Sequence, residues 1–167
     1  MSNSIELWIA VVAIGMGATV VMDLWAIVLR YGFNIPSLSY CLVGRWFCHM
    51  KDGIFYHSKI AAASSKSAEC LVGWSAHYVI GIVYAAILVL PAHAKWLQSP
   101  SVIPAVVVGL ATVVFPFFIM QPALGLGVAA GKAPKPGSAR VKTLLTHTVF
   151  GIGLYAATLV YQLISNY

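Results

Sequence analysis

Four side chains in this sequence have chemistry beyond packing: Asp23, His77, His147 and Gln121. Each lies within a run of apolar residues. On insertion scales a charge at the centre of a membrane helix costs about 2.5–3.5 kcal/mol, so an ionisable group there defaults to a functional reading. A carboxylate and an imidazole in contact exchange a proton near neutral pH, because imidazole is the side chain that changes charge there. Two histidines at matched depth also suit bis-imidazole haem ligation. Each group has a plainer reading too. Asp23 serves as an anchor hydrogen-bonded to a neighbouring helix, and the histidines serve as hydrogen-bonded glue between helices. Their neighbours bear on the choice. Gly73 and Gly81 flank His77 at i−4 and i+4, and Thr143 and Gly151 flank His147. These positions share a helical face, so small residues there permit close helix approach or leave room for a flat ligand.

The elements that must carry these groups follow from composition. The chain has 167 residues, 60% hydrophobic and only 8% charged, with a mean hydropathy of +0.89. Soluble domains carry about 25% charged residues, so water-soluble enzymes, secreted disulfide scaffolds and disordered regulators are excluded. Spanning a bilayer takes about 20 apolar residues. Four runs qualify, at residues 5–30, 68–91, 102–122 and 141–164. The expected fold is an all-α membrane bundle of four transmembrane helices in a single integral domain, residues 1–167, with the lipid bilayer as its partner.

Direction follows from charge. The net charge of +6 sits at the ends of apolar runs rather than along one polar face, which argues for topology signals and against nucleic acid. Arg30, Arg45, Lys51, Lys59 and Lys66 flank the first link, and Lys132, Lys135, Arg140 and Lys142 the third; only Lys95 lies opposite. Basic loops stay in the cytoplasm, so both termini are expected outside. The first apolar run lacks a basic start and a small-residue cleavage site, and reads as a retained helix rather than a signal peptide. Within the long first link, LSYCLVGRWFCHM sets Leu38, Leu42 and Trp46 near one helical face, as in a short interfacial helix. The third link, rich in Gly, Ala and Pro, reads as a mobile loop, the ragged end of span three, or a weak re-entry.

Depth then groups the polar residues. At 1.5 Å per residue, Asp23 lies about 10 Å inside Arg30, His77 about 12 Å beyond Glu69 and His147 about 8 Å beyond Lys142. Gln121 is near the same end of span three, so all four share the cytoplasmic half. A repeat sharpens this. Ala18-Thr19-Val20-Val21 matches Ala111-Thr112-Val113-Val114, and the His77-x-Val-x-Gly-Ile run matches the one that starts at His147. Two parallel helical hairpins related by an axis along the membrane normal would produce this pattern. His77 and His147 become symmetry mates, while Asp23 falls opposite Pro116.

Other features carry less. Cys41, Cys48 and Cys70 are too few, and odd in number, for a disulfide framework. Cys48, His49 and His57 lack zinc spacing, so no metal site is expected. No Walker loop, dinucleotide fingerprint, GxSxG elbow or HExxH is present, and a protein without enzymatic activity is the expected reading.

Several residue groups resemble a family of small bacterial membrane proteins known as domain of unknown function 2938. They are GATVVMDLWA with Asp23, Gly44-Arg45-Trp46, GWSAHY with His77, QPALGLG with Gln121 and THTVFGIGLY with His147. The resemblance covers nearly the whole chain. It implies a multi-pass protein of the bacterial inner membrane, with both termini then periplasmic, and brings no activity with it.

Three functions stay open. One is a transporter or channel for a small solute or ion, with Asp23, His77, His147 and Gln121 as its polar centre; four helices leave little room in one subunit, so a homo-oligomer is expected. The second is a haem- or quinone-binding redox protein with His77 and His147 as ligands. The third is a structural or accessory subunit of a membrane complex. Orientation is tested directly. A C-terminal alkaline phosphatase fusion should be active and a fluorescent-protein fusion dark; the opposite pattern overturns the inside assignment of the basic links.

Overall fold

The computed structural model describes residues 4–91 and 95–165. Four apolar stretches are long enough to cross a membrane. They are α1 (Ser4–Phe33), α3 (Glu69–Val89), the stretch Val102–Ala123 and α7 (Pro136–Ser165). Between the first two lies α2 (Tyr40–Met50), and a single turn, α4 (Lys95–Gln98), precedes the third. The third stretch is composite: α5 (Val102–Ala111), a wide π-helical turn at Pro116–Met120, then α6 (Gln121–Ala123). Pro116 has no N–H to donate to the preceding turn, and π-bulges are a common way for a helix to absorb such a break. No strand occurs among the described residues. The fourth helix begins at Pro136, five residues before the expected start, with proline in the first turn where its missing donor costs nothing.

Around the bundle the order is α3, α1, α7, α5. The first two and the last two are therefore hairpins, joined by the long contact of α1 with α7. The centre is small-grained: Ala10, Ala18, Ala85 and Ala105 are fully buried beside Val11, Ile14 and Leu154. Large apolar side chains such as Leu24, Val79, Val107 and Leu163 point outward instead. Lipid is as apolar as leucine, so helices associate through close packing rather than through hiding oily surface from water. Glycine permits that closeness. A Cβ on Gly15 would stand 2.5 Å from the Ile82 Cα, and one on Gly109 would stand 2.7 Å from the Gly151 Cα. A Cβ on Gly153 would meet the Ala18 Cα at 3.0 Å. Each main helix pair is thus seated backbone to backbone.

The helix expected in the first link is α2, and it runs antiparallel along the start of α3. Gly44 packs on the Glu69 carbonyl and Gly73 on the Tyr40 carbonyl, both closer than any side chain allows. Arg45 adds a two-pronged ion pair to Glu69, Nε to Oε2 at 2.9 Å and Nη2 to Oε1 at 2.7 Å. Both side chains are largely buried, so this pair resists screening better than a surface one. A disulfide joins Cys41 to Cys70, whose Cα atoms are 3.9 Å apart; Cys48 is free. Three cysteines make no framework, but two of them close one bridge, which their spacing of 29 residues did not announce.

The third link is folded rather than loose. Its residues Ala123 and Leu124 pack with Val43, Trp46 and Ile60 of the first link. The His57 and Ile60 amides donate to the Ala123 and Leu124 carbonyls at 2.9 and 3.2 Å. Gly125, at φ +93°, lies on the Ser58 carbonyl, where a side chain would have neither the space nor the backbone angle. The two links together form a cap over one end of the bundle.

Gly73 should therefore be intolerant. Gly73→Ala forces α2 off α3 and should lower stability by about 1–3 kcal/mol, read as thermal unfolding in detergent. Gly32→Ala, with nothing within 4 Å of the new methyl, should be neutral or stabilising by up to about 1 kcal/mol. Equal behaviour of the two would refute the close-packing account.

Candidate functional site

A cavity of about 450 Å³ lies between α1, α3, α7 and the Pro116 turn. The cap bounds it at one end through Pro36, Ser37 and Leu38 of the first link and Leu126, Ala130 and Ala133 of the third. Most of its wall is apolar, with the side chains of His77, Gln121, Lys142 and His147 and the hydroxyls of Thr19, Ser37, Tyr40, Tyr84, Thr143 and Thr146 as the polar exceptions. Three of the four residues singled out from sequence line it. Asp23 is the fourth and stands behind the wall, bonded to His77.

The Asp23 arrangement starts from helix packing. The Gly15–Gly81 crossing sets α1 against α3, and Asp23, two turns further along α1, then faces His77 and Tyr78. His77 Nε2 and Asp23 Oδ1 are 3.0 Å apart, and the Tyr78 hydroxyl donates to Asp23 Oδ2 at 3.0 Å. Both carboxylate oxygens are thereby engaged, and the His77 and Asp23 side chains are only 11% and 17% exposed. Tyr40 stacks on the His77 ring, with centroids 3.9 Å apart and planes inclined by 23°. Burial chiefly, then the charge of Asp23 and the neighbouring Tyr78, push the Tyr40 phenol above its ordinary range. It stays protonated.

His147 is held differently. Its Nδ1 lies 2.7 Å from the Thr112 hydroxyl, and that hydroxyl donates to the Gly109 carbonyl at 2.6 Å. A threonine has one proton to give. Since Gly109 takes it, Thr112 accepts from His147, which fixes the proton on Nδ1 and leaves Nε2 as a bare acceptor. Gln121 repeats this logic. Thr143 donates to Ala139 at 3.0 Å, so it accepts from Gln121 Nε2 at 3.4 Å. Gln121 Oε1 is left buried with no partner. The residue is only 6% exposed.

Haem ligation by the two histidines asks each ring for an open nitrogen facing one iron. His77 has Nε2 against Asp23 and a ring face under Tyr40, which leaves Nδ1 as its one open nitrogen. His49 and His57 form a second imidazole pair under the cap, with centroids 5.0 Å apart. No cluster of three or more metal-ligating side chains exists among the described residues.

Sequence reading missed Tyr40, Tyr78, Thr112 and Thr143. Tyr78 is adjacent to His77 along the chain, and Thr143 reads there only as a small neighbour of His147. Thr112 lies inside the repeat match, where it is one small residue among apolar ones. Tyr40 offered no signal, because it arrives on a separate helix whose position depends on the Gly44–Gly73 contact.

One family model matches this chain, described as protein of unknown function (DUF2938), over residues 12–161. No curated protein and no solved structure matches it.

The tautomer assignment is measurable. Imidazole ¹⁵N spectra should show His147 protonated at Nδ1 and bare at Nε2; the reverse tautomer would undo the Thr112 assignment. Thr112→Val leaves the Nδ1 proton without an acceptor and should cost about 1–3 kcal/mol.

Proposed function

The chain belongs to the DUF2938 family, and on that premise we propose that it is a carrier that moves a small, largely apolar solute together with a proton. The observation that carries this reading is that one residue, His77, both lines the cavity and is bonded to the buried Asp23 carboxylate. With Nε2 against Asp23, the ring exchanges a proton through Nδ1. Loading the solute and loading the proton thus act on the same side chain. A change in charge on His77 alters the polarity of the cavity wall, which couples the two events.

The cavity lies beneath the two basic links, so solute entry from the cytoplasmic side of a bacterial inner membrane follows, with both termini periplasmic. The chamber is built by one chain, and the reading needs no second copy. A homo-oligomer is an independent proposal, checked by the mass of the particle in nanodiscs.

Reconstitution provides the test. Liposomes holding the protein and an internal pH-sensitive dye are challenged with a panel of uncharged, cationic and anionic small solutes. At least one solute should accelerate proton movement. Asp23→Asn keeps the shape of the side chain and should slow that movement tenfold or more, with a monodisperse protein. Undiminished proton movement in Asp23→Asn would remove the coupling role.

A further inference from the structure

The cavity wall holds a cation for which the chain supplies no counterion. Lys142 lines the cavity, half-buried, and the chain has only four acidic side chains. Each is placed elsewhere. Glu69 is held by Arg45, Asp52 by Lys66, and Asp23 by His77 and Tyr78. Glu6 is in the first turn of α1, about 40 Å of helix from the capped end at 1.5 Å per residue. No acidic side chain is among the lining residues. The other lining groups that ionise near neutral pH are His77 and His147, and imidazole gains positive charge, not negative. A charge drawn out of water is costly unless it is paired and hydrogen-bonded. The Lys142 ammonium has three N–H donors, and one goes to the Pro36 carbonyl at 2.7 Å. Two are left for a ligand.

The surroundings of Lys142 say what kind of anion fits. Lys142, Thr146 and Phe150 all line the cavity, and their spacing of four puts them on one face of α7. Read inward, that face presents an ammonium, a hydroxyl and an aromatic ring over about 12 Å. Ser37, next to Pro36, adds a second hydroxyl on the cap side. Met22, Ile80 and Phe115 continue the apolar wall around Phe150. The Thr19, Tyr40, Tyr84 and Thr143 hydroxyls add no negative charge. A cationic head would face Lys142 in a medium of low dielectric, where like charges repel strongly. An uncharged head would leave the ammonium without a counterion. We infer that the cavity takes an amphiphilic organic monoanion, its carboxylate on Lys142 and its apolar body against Phe150. This rests on reading the cavity as a solute site, and it names the substrate class for that site. A monoanion moved with one proton crosses without net charge.

Four probes separate head from body: 4-propylbenzoate, its neutral amide 4-propylbenzamide, the cation 4-propylbenzylamine, and acetate, which has the head alone. Saturable binding is measured on the whole protein in phosphatidylcholine nanodiscs, with partition into empty nanodiscs subtracted and no gradient applied. The benzoate should bind about tenfold or more tighter than the amide, the range a hydrogen bond between charged groups supplies. The amine and acetate should both bind more weakly than the benzoate. Lys142→Met should bring benzoate down to the amide, with amide binding unchanged, and Lys142→Arg should restore the preference. If Lys142→Met does not fold, the order of the probes on the native protein decides alone. The inference is overturned if the amide or the amine equals the benzoate, if acetate binds as tightly, if benzoate does not saturate, or if folded Lys142→Met keeps the full preference. Native mass spectra from discs containing phosphatidylglycerol separate a solute from a lipid headgroup. One such lipid retained by the native protein and lost in Lys142→Met would assign the cation to the membrane and overturn the solute; equal retention by both upholds it. Benzoate selectivity without proton movement would end the carrier reading and leave this one standing. Proton movement without benzoate selectivity would do the reverse.

Discussion

Backbone-to-backbone contact is the constraint on which this structure depends. In lipid, two helices gain little by covering apolar side chains, since the surroundings are equally apolar. Attraction must come from dispersion, which falls steeply with distance. Glycine and alanine at the crossings bring the backbones together, and everything polar then follows from where the crossings fall. Gly15 against Ile82 and Gly81 aims Asp23 at His77. Gly109 against Gly151 brings Thr112 under His147. Gly44 and Gly73 let α2 descend along α3 until Tyr40 covers the His77 ring. A methyl group at any of these crossings would move a polar group as well as a helix.

Polar groups in the interior fall into two sets. Thr19, Thr112, Thr143 and Thr158 return their protons to carbonyls one turn back on their own helices, which makes them neutral in the lipid-facing balance. Asp23 is fully engaged by His77 and Tyr78. The second set, His77, Gln121, Lys142 and His147, faces the cavity and puts polar atoms on a mostly apolar wall.

The cap illustrates how two local signals of different kinds meet at one place. Nine of ten basic residues gather on the side of the two long links, while a disulfide closes at that same end. Disulfides ordinarily persist in oxidising compartments. The proximity of Cys41 and Cys70 has its own cause, however: the Gly44–Gly73 contact brings their Cα atoms to 3.9 Å. The two sulfurs are neighbours because the helices touch, whichever compartment they face.

Hydropathy and length were enough to identify four spans and their approximate ends, because the cost of exposing backbone or charge to lipid acts on each segment separately. The same locality made Asp23, His77, His147 and Gln121 stand out, since a polar residue in an apolar run is visible without knowing its neighbours. The early start of α7 and the folded third link were not visible, as their residues are ordered by contact with the first link. Nor was the part of Tyr40, Thr112 and Thr143, whose types are unremarkable along the chain. Residue type determined which groups are expensive in a membrane; only the tertiary structure decided which of them are paired and which face the cavity, because pairing depends on distances between helices that one-dimensional spacing does not contain.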